Sequence, residues 1–203
     1  TSLSDKVETA KIGKEQRRTL LERSDVAGAR QFGLHFGLIL VVGTLITVRV
    51  PLWQGLIILQ GVLVIFAFSA LHETIHKTAF RSARYNRIAA ATAGFLVLLP
   101  PHWFKLFHFA HHRYTHDPDH DPELAEPKSQ SLPGYLAYMS GLPVWWSLAK
   151  GLVVNALGKN ADPFVEAADR PAVRHEARLY LCLYSVAVAA SYLMINDGLV
   201  WAW

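Results

Sequence analysis

Residues 71–80 read LHETIHKTAF and contain His72-Glu73-Thr74-Ile75-His76, an H-E-x-x-H pattern. Histidines four apart lie on one face of a helix, so His72 and His76 can bind one metal. In a zinc protease Glu73 would be the general base and a third ligand would come from elsewhere. A second group follows at His108-Phe109-Ala110-His111-His112, an H-x-x-H-H box. On a helix His108 lies on the same side as His111 and His112, so three imidazoles can converge. A catalytic zinc site uses three protein ligands and keeps one position for water, so it has no use for a second box. Two oxygen-bridged iron ions need many neutral nitrogen ligands and open positions for dioxygen, and imidazole suits iron. The two boxes together point to two-metal chemistry, with an intramembrane zinc metalloprotease as the alternative of another class.

The remaining histidines of the ten are a mixed set. His116 and His120 lie in a Pro/Asp-rich loop, HDPDHDPE, as accessory ligands, groups that orient ligands, or solvated residues; neither is counted in the ligand set. His35 falls inside an apolar run and reads as a hydrogen-bonded membrane histidine. His102 reads as interfacial. Glu73 is either a partner that fixes a histidine tautomer or a solvated residue at a helix end.

These groups need helices to position them. The chain has 203 residues, 52% hydrophobic and 18% charged, with a mean hydropathy of +0.21. That is more apolar than an ordinary soluble domain, and the apolar residues come in blocks. Residues 32–48 and 52–71 form two runs separated by Arg49-Val50-Pro51. The second has about the length that crosses a hydrocarbon core, and the pair reads as a transmembrane hairpin. Residues 89–99 are apolar but short, end at Pro100-Pro101, and suit a re-entrant or interfacial helix. Residues 131–158 are aromatic-rich and broken by Pro and Gly, which suits an interfacial helix pair. Residues 179–195 form a third candidate span, followed by an Asn196-Asp197-Gly198 turn and the start of a fourth at 199–203. The expected fold is an all-α integral membrane helical bundle of transmembrane hairpins and interfacial helices.

Charge orients that bundle. Residues 1–31 carry seven basic residues against five acids. After the hairpin come Lys77, Arg81, Arg84 and Arg87, with no acid between Glu73 and Asp117. Positive-inside bias places the N-terminus and the first histidine box on the cytoplasmic side. Lys77, Arg81, Arg84 and Arg87 are topology determinants on this reading, or a dock for an acidic electron donor. The net charge of +4 comes without a dense basic stripe interleaved with aromatics, so nucleic acid is not an expected partner. The polar first 31 residues are not a signal peptide. The single cysteine, Cys182, excludes an internal disulfide and a multi-cysteine zinc site.

The sequence resembles the integral-membrane fatty acid desaturase and hydroxylase superfamily. The resemblance rests on His72 and His76 as a first HxxxH box and on His108, His111 and His112 as a second, HxxHH. It extends through the connecting segment with Asn86 and Gly94, and is specific across residues 72–123. The HETIHK stretch also looks like the alkane hydroxylase branch, and the second box more like the desaturase branch. The resemblance implies that these five histidines ligate two non-haem iron ions. It implies a membrane oxidoreductase that uses dioxygen to remove hydrogen from an unactivated C–H bond of a fatty-acyl or other lipid chain. Electrons would come from an external donor of the ferredoxin or cytochrome b5 type. An alkane, lipid or carotenoid-modifying hydroxylase is the alternative within the superfamily. The family's third histidine box is missing, so residues 1–31 are expected to be a cytoplasmic polar segment and 32–203 a desaturase-like domain lacking its C-terminal part. An inactive membrane scaffold is the non-enzymatic alternative.

Overall fold

The structure, a computed structural model, describes residues 13–125 and 129–193. Eight α-helices follow in chain order among the described residues. They are α1 (Lys14–Leu20), α2 (Asp25–Thr47), α3 (Trp53–Ile75), α4 (Ala83–Leu96), α5 (Pro101–Tyr114), α6 (Leu132–Met139), α7 (Leu142–Ala156) and α8 (Arg170–Leu193). A short 3-10 turn at Pro122–Leu124 follows α5, and the described residues contain no strand. The all-helical expectation holds.

The expected hairpin is α2 packed on α3. At about 1.5 Å per residue, the 23 residues of each helix give roughly the 30 Å that a hydrocarbon core requires. The segment Lys14–Thr47, which contains α2, and Trp53–Ile75 are long and apolar enough to cross a membrane. Their outward faces carry exposed apolar side chains, including Leu34, Leu40, Val41, Ile58, Ile65 and Phe66. His35 Nε2 lies 2.9 Å from the Leu63 carbonyl oxygen, so it bridges the two helices as the sequence suggests.

Helix boundaries extend past the apolar runs. Helix α2 starts at Asp25, where Ser24 caps it by accepting from Ala27 N. Asp25 also accepts from Ser82 N at 2.8 Å and Ser82 Oγ at 2.5 Å, which ties the start of α2 to the start of α4. The close approach of α2 to this loop requires Gly28: a Cβ there would lie 2.4 Å from the Ala79 carbonyl oxygen. Helix α3 continues through HETI, so the first histidine box rides on the same rigid rod as the apolar run.

Four helices, α2, α3, α4 and α7, end in one way. The residue after the C-cap takes a left-handed conformation, at Arg49, Lys77, Leu98 and Gly158. In each, the next residue's N–H reaches back five positions, as in Thr78 N to Glu73 O at 3.0 Å and Leu99 N to Gly94 O at 2.8 Å. This motif satisfies the last carbonyls of a helix and is ordinarily made by glycine. Only α7 uses one.

Two cores hold the bundle. Ala67, Leu71 and Ile75 of α3 pack on Ala90, Ala93 and Val97 at α4 and on Leu99 and Phe104 at α5. Leu152 and Ala156 of α7 pack on Ala177, Tyr180 and Tyr184 of α8. Tyr180 and Tyr184 donate to the carbonyls of Ala91 and Phe95 at 2.7 Å, which fastens α8 to α4. Helices α6 and α7 form the expected pair and expose Leu132, Tyr135, Met139, Leu142 and Trp146. The third expected span, residues 179–195, overlaps the end of α8, which begins earlier, at Arg170, and is described to Leu193; among the described residues only the segment containing α2, and α3 itself, are long and apolar enough to cross a membrane. The expected turn at 196–198 and the start of a fourth span lie outside the described residues.

Candidate metal centre

Helix α5 carries the second histidine box, and its start is fixed by acids from later in the chain. Pro101 occupies its first turn, where a missing N–H costs nothing and φ is preset. Thus Pro100-Pro101 ends one segment and also opens the next helix. Glu176 of α8 accepts from His102 N at 2.8 Å, satisfying an N–H that has no partner within the helix. His102 Nε2 donates to Asp169 at 3.0 Å, and Trp103 Nε1 donates to Asp162 at 2.8 Å. His102 is therefore an anchor for α5.

The far ends of α3 and α5 meet at the histidines. His72 and His76 project from α3 and its C-cap, one turn apart, and His108 and His112 project from α5, also one turn apart. One ring nitrogen from each of these four lies within 4.8 Å of the other three. His108 Nε2 is 3.0 Å from His76 Nε2, and His112 Nε2 is 3.3 Å from the same atom. Phe104 stacks on the His108 ring at 5.3 Å, and Phe68 packs edge-on against Phe104. His108 is thus pressed between the aromatic core and the other imidazoles, and is only 7% exposed.

His111 stands apart from this group. It is three residues from His108, not four, and its ring centre lies 6.1 Å from His108 and 5.9 Å from His112. Its Nδ1 donates to Asp121 Oδ1 at 2.9 Å, with Glu123 Oε2 at 3.5 Å. Of the five histidines in the two boxes, the fold brings four to one point and turns the fifth toward an acidic loop. His116 and His120 are outside the four-histidine group. His116 has a left-handed backbone and donates its N–H to Asp121. His120 pairs with Asp117 at 3.0 Å on the surface.

Glu73 makes the contacts that an orienting role would use. Its Oε1 accepts from His72 Nδ1 at 3.1 Å and its Oε2 accepts from Thr78 Oγ1 at 2.6 Å. The hydrogen bond to Nδ1 leaves the opposite nitrogen of His72 with its lone pair free for a cation.

Electrostatics favour neutral donors. Burial, followed by the charges of His112, His72, His76 and His111, pushes His108 down to about 4. His76 is also lowered, by burial first and then by His72 and His112. Unprotonated imidazoles keep their lone pairs for a cation. Nitrogens bound to one metal at about 2.1 Å lie roughly 3.0–3.4 Å apart. The 3.0 and 3.3 Å separations around His76 already match this. The donor set therefore fits a transition metal, and an all-imidazole set suits iron.

The sequence profile of the fatty acid desaturase family matches residues 49–203. The chain belongs to the fatty acid desaturase family. No curated protein and no solved structure matches it. The match begins in the turn between α2 and α3 and takes in both histidine boxes of this desaturase-family chain. Membership sets the metalloprotease alternative aside. It also gives the two long apolar helices their reading, because a desaturase of this family is a membrane protein with a lipid substrate.

Asp121 of this desaturase-family chain, and the three acids that pin the start of α5, are not marked by the sequence. The HDPDHDPE run offers three aspartates at similar spacing from the box. Only the fold of the loop selects which one turns inward.

Proposed function

We propose that this chain is a membrane di-iron oxidoreductase that dehydrogenates a fatty-acyl or other lipid chain. The supporting observation is the convergence of His72, His76, His108 and His112 from two helices on one point. His111 completes the proposed ligand set of five for two non-haem iron ions. When bound, the irons supply activation of dioxygen for removal of hydrogen from an unactivated C–H bond. The chain's own residues hold the site. Glu73 sets the His72 tautomer, Phe104 and Phe68 wall His108 from water, and the acids at the start of α5 keep the second box in register with the first. Electrons come from a separate ferredoxin or cytochrome b5-type donor.

The N-terminal segment and both boxes face the cytoplasm on this proposal. The basic residues on either side of the hairpin support that orientation. Helices α6 and α7, with apolar and aromatic side chains exposed along one short hairpin, lie in the membrane interface.

The test is purification in detergent, metal analysis, and product analysis of a lipid substrate with a reduced donor and dioxygen. Iron as the bound metal and a new double bond are expected, and His108→Ala should lose both. A hydroxylated product would place the chain in the hydroxylase branch. Wild-type turnover in the His108→Ala variant would overturn the proposal.

A further inference from the structure

Asp121 is the most buried carboxylate beside the histidine boxes, with its side chain 2% exposed. Both of its oxygens are occupied by donors. Oδ1 accepts from His111 Nδ1 at 2.9 Å and from Glu123 N at 3.0 Å, and Oδ2 accepts from His116 N at 3.0 Å. Oδ1 is shared by two donors, and an ionised carboxylate can only accept. The hydrogen on the His111–Asp121 bond therefore sits on Nδ1 of the imidazole. A neutral histidine protonated at Nδ1 has its lone pair on Nε2.

We infer that Asp121 is a positioning residue for His111, fixing the tautomer and ring direction that leave Nε2 as a metal-binding atom. This inference rests on reading the two boxes as a metal centre. It assigns a purpose to the loop after α5. The left-handed turn at His116, the Asp121 N to Asp117 O bond at 2.9 Å and the 3-10 turn at Pro122–Leu124 fold the chain back on the helix. That return places a carboxylate ten residues downstream against a histidine of the box. Glu73 does the same for His72 from the adjacent position in the chain, but with a side chain 53% exposed. The buried partner of His111 is the firmer of the two, since water competes less for its hydrogen bonds.

The test is a titration of the detergent-solubilised full chain with Fe(II) and, as a spectroscopic probe, Co(II). Four proteins are compared: wild type, Asp121→Ala, His111→Ala and the double variant. Loss of a partner that orients a ligand costs about 10–100-fold in metal affinity, and that loss is expected for Asp121→Ala. The double variant should bind no more weakly than His111→Ala alone, because Asp121 acts through His111. Asp117→Asn, at the exposed pair with His120, should bind as wild type. If Asp121→Ala does not fold, Asp121→Asn keeps the volume and removes the charge. It should weaken binding when His111 is present and have no effect when it is absent. Wild-type affinity in the Asp121 variants, or a loss that adds fully to that of His111→Ala, would overturn the positioning role while leaving the metal centre intact. A wild-type chain that binds neither ion would overturn the metal-centre reading itself.

Discussion

His76 Nε2 and His108 Nε2 lie 3.0 Å apart although 32 residues separate them in the chain. Two bare imidazole lone pairs at that distance repel, so the pair needs either a shared proton or a cation between its nitrogens. Burial opposes a charge on His108 when no metal is bound. The metal-free protein and the metal-bound protein should therefore respond differently to acid.

In the unfolded chain His108 takes up a proton near its ordinary value of 6.5, whereas in the fold it resists until about pH 4. Between those values the unfolded state binds the extra proton, so stability falls as pH falls through the window and levels off below it. His76 is shifted in the same direction. Thermal unfolding of the metal-free protein at pH 7.5 and pH 5 should show a lower midpoint at the acid end. His108→Ala should shrink that difference, and an unchanged difference would contradict the assignment.

Glu73→Gln separates an orienting role from a general-base role. The amide oxygen can still accept from His72 Nδ1, so turnover should fall by about tenfold or less, the lower end of what loss of an orienting partner costs. A protease base at this position would lose nearly all activity. Product formation by the purified variant, normalised to bound iron, gives the answer.

Gly94 has no space for a side chain. A Cβ there would lie 2.4 Å from the Leu99 carbonyl oxygen and 3.1 Å from Pro101 Cδ. The obstruction includes backbone at the α4–α5 turn, so Gly94→Ala should destabilise by about 1–3 kcal/mol, the usual cost of overpacking. Because α5 would have to move, metal binding should weaken along with the unfolding midpoint.

Lys77 has the opposite defect. Its φ of 60° puts a residue with a Cβ where glycine is preferred. Relief of about 1–2 kcal/mol of left-handed strain is offset in part by the roughly 0.4–1 kcal/mol that glycine's extra freedom gives the unfolded chain. Lys77→Gly should therefore raise the unfolding midpoint slightly and leave the histidines in place. A fall in the midpoint would show that the lysine side chain contributes packing of its own.

The two apolar runs made the hairpin legible, since a stretch of that length without charges has few other folds available. The histidine spacings made the metal chemistry legible, because i and i+4 on a helix fix a shared face. Helix ends were harder to read. Of the four helix ends closed by a bond reaching back five residues, those at Arg49 and Leu98 are announced by Pro51 and Pro100, but no glycine or proline marks the stop at Lys77, so the length of α3 depends on the tertiary setting. The HxxHH pattern likewise does not say which two histidines join the first box. That follows from the rotation of α5, which is set by Glu176, Asp169 and Asp162. These acids lie about sixty residues downstream of the box and match no local pattern.

That long-range anchoring bears on the order of events during synthesis. The ribosome has made all five box histidines by residue 112. The residues that hold α5 at the correct angle are not made until positions 162–176, and Tyr180 and Tyr184, which fasten α8 to α4, come later still. The first hairpin can enter the membrane early, but the nascent chain lacks a finished metal cradle until α8 is in place. On the proposed function, a metal would find its four converging histidines held in place only after α8 has packed.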